Sequence, residues 1–417
     1  MNSQSRNFLS RFASLRMRIE ALSSLRQMVQ LPPAHDITER QWFVIETELK
    51  AAESRLLRHL KNAVRKYLPQ QNNPAANRSL QNLLGRLELE LSSVFVFFDT
   101  YMDVLTQRLT PDLGLLLAGC DVLAWDSLNR DHPALTIVEP PLVYCDRGFG
   151  ASTLREGIKF PQRTINPLPL VQIPYSRLNE KYNLTSILHE VGHEALVRLD
   201  LVRTLPLALQ SGLRKAGAPA AIADLYALWS SEIGPDFWAF CGCGVAAAGA
   251  MKEIVALPPA QVFRVTWTDP HPSPYLRTLL LFDWCRQVWG YGLWDQWERE
   301  WLAVYPLESA APETQEILRL AREYVPVVGR ILLHTKFRTL NRQPITALFN
   351  LALLAPAALQ RIADTAMAGR LNLRGLPPGA HLAVFRLLRE QGTLSEAALD
   401  RVMTRWLLHL VAHHKHV

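Results

Sequence analysis

Residues 184–196 read Leu-Thr-Ser-Ile-Leu-His-Glu-Val-Gly-His-Glu-Ala-Leu, a stretch that contains His189-Glu190-x-x-His193. On an α-helix, residues four apart project from one face. Two neutral imidazoles so placed can share one Zn²⁺ ion. Glu190 follows the first histidine, where its carboxylate reaches water at the metal. Gly192 removes a side chain between the two ligands and lets another backbone approach. Ile187, Leu188, Val191, Ala195 and Leu196 supply apolar support, and Asn183 or Thr185 is placed to cap the helix start.

A catalytic zinc site takes three protein ligands and leaves a fourth position for water. The position six residues after His193 is Leu199, so a short-range third histidine is absent. Asp200 lies about two helical turns past His193 and reads as a surface or capping residue. Glu232 is the favoured third ligand, in Ser231-Glu232-Ile233-Gly234-Pro235-Asp236. If Glu232 and Asp236 share a helix face, Asp236 can accept the N–H of a ligand histidine. Proline belongs in a first helical turn, so Pro235 places Glu232 at or just before a helix start. Glu253 and Asp236 stand as alternative third ligands.

These residues resemble the gluzincin class of zinc metallopeptidases, the thermolysin-like group. There His-Glu-x-x-His on one helix is joined by Glu-x-x-x-Asp on the next. The resemblance covers roughly residues 140–280. It implies a zincin-like fold in which zinc, held by His189, His193 and Glu232, lowers the pKa of water toward about 7. It also implies Glu190 as general base, returning its proton to the leaving amine. The segment Asp269-Pro270-His271-Pro272-Ser273-Pro274-Tyr275-Leu276-Arg277 resembles the His-Pro…Arg segment downstream of the ligands in several gluzincin families. By that likeness His271 or Tyr275 stabilises the oxyanion, and Arg277 orients Asp236 or a substrate group. A rigid surface loop leading into a helix over 275–289 is the plainer reading of the same segment. The gluzincin likeness also casts residues 169–175 as a sheet edge on which substrate adds a strand. Tyr144, Asp146, Arg147 and Arg155 stand as further cleft-lining candidates.

The elements around this centre are mostly helical. Apolar spacing predicts a helix over 5–29, a break at Pro32-Pro33, and a second helix to about Tyr67, capped by Asp36 or Thr38. A polar turn over 69–77 and a third helix over 79–109 follow. Residues 135–180 are rich in Pro, Gly and β-branched types, with strand candidates at 142–144 and 169–173 and a turn at 146–150. The metal-motif helix is read over 184–202, and helices return after 260, where Trp284, Trp289, Trp294, Trp297 and Trp301 read as core. No internal repeat is seen. The fold class is mainly α (α+β). Three regions are expected: a basic helical region 1–112, a zincin-like metallopeptidase domain 113–310 with a small sheet, and a helical region 311–417.

Composition bounds the function classes. The chain has 417 residues, 49% hydrophobic and 20% charged, enough for a sizeable core and too apolar for disorder. Its five cysteines form no disulfide framework and suit a reducing compartment; Cys241 and Cys243 read as buried thiols. No signal-peptide pattern and no run of about 18 apolar residues is present, so a cytoplasmic protein without a transmembrane segment is expected. Residues 1–70 hold twelve Lys/Arg against six Asp/Glu, which is most of the net charge of +7. A solvated helical face is the favoured explanation, with nucleic acid as an alternative partner for that region. The tail histidines His409, His413, His414 and His416 read as a solvated terminus. The sequence thus points to a zinc metallopeptidase acting on peptide or protein, with a regulatory protein partner possible. The alternative is a helical scaffold or nucleic-acid-binding protein whose metal site is structural or vestigial.

Overall fold

The amphipathic spacing of the N-terminal third folds into long helices. In a computed structural model that describes residues 3–414 except 23, 71–72, 149, 161–163, 368–370, 372 and 393, these are α1 (Ser3–Glu20), α2 (Leu25–Met28), α3 (Glu39–Tyr67) and α4 (Pro74–Thr106). The helix expected over 5–29 is split, because Ser24 takes a left-handed backbone and its hydroxyl accepts from Gln27 N–H to start α2. Thr38 caps α3: its hydroxyl accepts from Gln41 N–H at 3.1 Å, and the Gln41 side chain accepts from Thr38 N–H at 2.9 Å. Asp36 instead accepts from the Trp42 indole at 2.9 Å. The turn expected over 69–77 ends early, because Asn73 caps α4 and Pro74 fits its first turn. Phe12, Leu15 and Ile19 of α1, Ile45, Leu49 and Leu56 of α3, and Leu84, Leu91 and Val94 of α4 make one buried core.

The remaining helices are α5 (Pro111–Leu128), α6 (Pro133–Thr136), α7 (Thr185–Arg198), α8 (Leu201–Lys215), α9 (Ala220–Cys243), α10 (Val245–Ile254), α11 (Pro259–Val262), α12 (Pro274–Trp289), α13 (Leu293–Val304), α14 (Pro312–Glu323), α15 (Val325–His334), α16 (Pro356–Met367), α17 (Pro378–Glu390) and α18 (Glu396–His414). The fold is mainly helical with one small sheet. Its strands are β1 (Leu142–Asp146), β2 (Ser152–Leu154) and β3 (Leu170–Pro174), in the order β1-β3-β2. β3 is therefore the central strand, paired on both sides. This corrects the expectation of a free edge at 169–175, since a strand with two partners has no open ladder to offer.

The chain divides into two compact units. The first comprises Met1–Ala118, Leu142–Cys145 and Leu154–Leu170; the second comprises Gly119–Pro141, Asp146–Thr153 and Val171–Val417. Residues 311–417 fall within the second unit, with α7 to α13. Among the described residues, no helix is long and apolar enough to cross a membrane. None of the five cysteines is in a disulfide, and all are buried. Trp284, Trp294, Trp297 and Trp301 are buried as well.

The central element of the second unit is α9, in which every residue from Glu232 to Cys243 is buried. Pro235 lies inside this helix rather than at its start. It removes one N–H donor from the ladder, and the helix continues because packing on all sides holds it. Glu232 thus sits well inside the helix, and the start-of-helix expectation is corrected.

Candidate metal centre

The site is built where α7 crosses α9. A Cβ on Gly192 would lie 2.9 Å from Pro235 Cα and 3.1 Å from Trp238 Cβ. Only a residue without a side chain permits that approach. It brings Glu232, on α9, against the histidine face of α7. Gly192→Ala is expected to push the helices apart at a backbone contact that cannot yield. The cost is about 1–3 kcal/mol of stability, checked by urea denaturation; an unchanged midpoint would contradict this packing.

His189, His193 and Glu232 each offer a ligand atom, and these atoms lie within 4.8 Å of one another. Glu232 Oε2 is 3.4 Å from His189 Nε2, and its Oε1 is 3.6 Å from His193 Nε2. The rings of His189 and His193 are 5.0 Å apart and nearly perpendicular. Ligands about 2.0–2.2 Å from one tetrahedral ion are about 3.3–3.6 Å from each other. The two carboxylate–imidazole separations are of that size, each from a different oxygen of Glu232. Two imidazole nitrogens and a carboxylate oxygen are also a donor set that suits zinc.

Asp236, one turn beyond Glu232, sits behind His189. Its Oδ1 is 2.7 Å from His189 Nδ1. That contact lies off the ring N–H direction, so it acts through charge more than as an aligned hydrogen bond. Asp236 also accepts two hydrogen bonds from Arg277 of α12, from Nε to Oδ2 at 2.8 Å and from Nη2 at 2.7 Å to Oδ1, the oxygen that faces His189. Of the two roles open to Arg277 in the sequence, this geometry has it hold Asp236.

Burial alone would raise the Asp236 carboxyl, but the charges of Arg277 and His189 hold it well below the ordinary carboxylate range. Burial alone would lower His189; Asp236 and Glu232 overcome it and raise the imidazole to about 10. Glu190 is buried, which, with the nearby charge of Glu232, pushes its carboxyl up to about 7. Glu232 goes the other way, because contact with His189 outweighs its burial.

His271 reaches the rim. Its Nε2 lies 3.6 Å from Glu232 Oε1, and the side chain is about half exposed. Asp269 fixes the ring from behind: its Oδ1 is 2.7 Å from His271 Nδ1 and accepts from the His271 backbone N–H at 3.0 Å. Arg264 donates to the other oxygen of Asp269 at 2.7 Å. The sequence reading gave Asp269 and Arg264 no role. An aspartate that bonds the backbone two residues on is an Asx-turn, so the Asp-Pro-His spacing was the available signal for Asp269.

Other expected residues lie elsewhere. The Tyr275 hydroxyl accepts from Arg322 of α14 at 3.1 Å, and its ring is fully buried against Phe263, so it is not offered to the rim. Glu253 pairs with Arg386 at 2.8 Å and with Arg389. Asp200 sits with a left-handed backbone at the α7–α8 junction. Neither Asn183 nor Thr185 caps α7; the Asn183 amide oxygen accepts from Arg386 at 2.7 Å. Asp146 accepts from the Arg147 backbone N–H at 2.6 Å, while Tyr144 and Arg155 belong to the first unit. His409 and His413 stack on α18 at 3.8 Å; His416 and Phe149 lie outside the described residues. Comparison of the chain with protein-family models, with curated proteins and with solved structures returns no match.

Proposed function

We propose that the second unit is a zinc-dependent, gluzincin-like peptidase centre. The observation that carries this reading is the convergence of His189, His193 and Glu232 beside a buried Glu190 whose carboxyl is raised to about 7. The residues fit the metal: two imidazole nitrogens and a carboxylate oxygen within 4.8 Å of one another, one histidine backed by a carboxylate, and partial exposure of the His193 side chain to admit substrate. Zinc, when bound, would supply Lewis acidity to water and to a carbonyl oxygen.

The chain's own groups do the rest. Glu190 takes a proton from attacking water at its carboxylate and passes it to the leaving amine. Burial of the carboxyl disfavours its charge and so favours uptake of a proton from water. His271, whose Nδ1–H faces Asp269, directs Nε2 toward the site, where as an imidazolium it can donate to negative charge developing on the carbonyl oxygen. Arg277 holds Asp236, and Asp236 holds His189.

Two expectations arise here. His271→Asn should lower kcat by about 10²-fold, as loss of one oxyanion donor does, without loss of metal; full activity in that variant would remove His271 from the reaction. Metal loading should release protons and weaken with acid, since His189 holds a proton up to about 10 and must lose it to ligate. Zinc titrations at several pH values in weakly buffered solution would show it, and a pH-independent affinity would contradict it. The reading as a whole is tested by digesting a mixed peptide library with the wild-type chain and the Glu190→Gln chain. Cleavage by the first alone supports a peptidase. Cleavage by neither, with metal bound, moves the substrate to another amide or ester.

A further inference from the structure

The basic excess of the first unit is sorted by helix face. Some of its cations are met inside the unit: Arg18 donates to Glu88 at 2.8 and 2.7 Å, Arg26 to Glu39 at 2.7 Å and Arg55 to Glu90 at 3.1 Å. Lys50, Arg58, Lys61 and Arg65 of α3 are different. Each is exposed, and among the described residues none pairs with an acid. At about 3.6 residues per turn they share roughly one third of the helix circumference with the exposed Thr47, Ser54 and Asn62.

That face of α3 carries no carboxylate. The acids of the helix are Glu39, Glu46, Glu48 and Glu53, and the same period puts all of them outside the basic arc. Glu39 is engaged by Arg26, Glu46 accepts from the Arg26 backbone N–H at 3.0 Å, and Glu48 accepts from the Ile165 backbone N–H at 2.9 Å. The helix macrodipole favours cations in the last turn only. It accounts for Arg65 and leaves Lys50, Arg58 and Lys61 to another role. The large apolar side chains Leu49, Leu56 and Leu60 are turned into the core, so none interrupts the face.

We propose that this face of α3 binds the phosphate backbone of a double-helical nucleic acid. Lys50 and Arg65 stand about 22 Å apart along the helix at ~1.5 Å per residue. One strand of a duplex offers a phosphate about every 3.4 Å along its axis. Cations interleaved with hydroxyl and amide donors suit phosphate oxygens. A bilayer fits less well, because a helix lying on lipid buries its apolar face there, and the apolar face of α3 is in the protein core. A single strand fits less well too, since no Phe, Tyr or Trp lies between Thr47 and Arg65 for bases to stack on. Nothing here depends on the metal centre, and either reading can fail without the other.

The test is fluorescence anisotropy of labelled DNA and RNA duplexes of one sequence, titrated with the full chain at several salt concentrations. At least one duplex should bind, and the tighter of the two names the source. Four neutralised phosphates give a slope of log affinity against log salt of about −3.6, a loss of about 10²-fold between ~50 and ~200 mM. Lys61→Gln should make the slope shallower by about 0.9, whatever the base sequence. Glutamine at Lys50, Arg58, Lys61 and Arg65 together should remove most of the binding, with circular dichroism checked against wild type. The exposed single variant stands as a test even if the fourfold one misfolds. No duplex binding at low salt, a slope unmoved in folded variants, or tighter binding to the separated strand would each overturn the assignment. So would tighter binding to phosphatidylserine vesicles or equal displacement of the duplex by polyglutamate.

Discussion

Glu190→Gln is expected to lose between about a hundred- and ten-thousand-fold of turnover, the range for a removed general acid–base group, while keeping its metal. The amide is nearly isosteric with the carboxyl and cannot take up a proton. Glu190 is outside the set of three donor residues, so affinity for zinc should change little. Burial already disfavours its charge, so a neutral side chain is tolerated there and stability should hold or rise slightly. The combination discriminates: lost activity with retained metal and fold is what a base predicts. Lost metal would make Glu190 a ligand, and retained activity would remove it from the reaction.

The second large effect concerns Arg277. This side chain crosses from α12 to hold Asp236 through two hydrogen bonds in a buried setting. Arg277→Met leaves the Asp236 carboxylate buried beside Glu232 and Glu190, without its fixed counter-charge. Breaking one member of such a pair costs about 3–5 kcal/mol. Because Asp236 backs His189, zinc affinity should also fall, by about 10- to 100-fold. Adding Asp236→Leu removes the stranded charge, so stability should largely return while zinc affinity stays low. Urea denaturation and competitive zinc titration on the single and double variants read both quantities. An Arg277→Met chain with unchanged stability and affinity would show that the pair supports neither.

The candidate ligand residues were legible because their spacing is local. His189 and His193 share a face by helical period alone, and Gly192 between them marked a close approach that turns out to be Pro235 of α9. Glu232 and Asp236 were legible as a pair four apart. Their place in the helix was not, because the sequence rule for Pro235 assumes an exposed helix and α9 is enclosed by packing. Tyr275 failed for a different reason. Nothing near it in sequence announces Arg322, which engages its hydroxyl from 47 positions away. The order β1-β3-β2 was equally hidden, since two separated strand candidates do not say which lies in the middle. Arg277 was named for a carboxylate-orienting task through the likeness of its segment to a His-Pro…Arg segment, and its two hydrogen bonds go to Asp236.

The central claim is a zinc ion held by two helices, and elemental analysis tests it most directly. The wild-type chain, His193→Ala and Glu232→Ala would be purified without a histidine tag and measured after zinc supplementation. About one zinc per wild-type chain, lost in both variants while their helical content is kept, is the predicted result. A wild-type chain that binds no zinc would contradict the account. Zinc retained in Glu232→Ala would leave the histidines in place and move the third ligand to another residue.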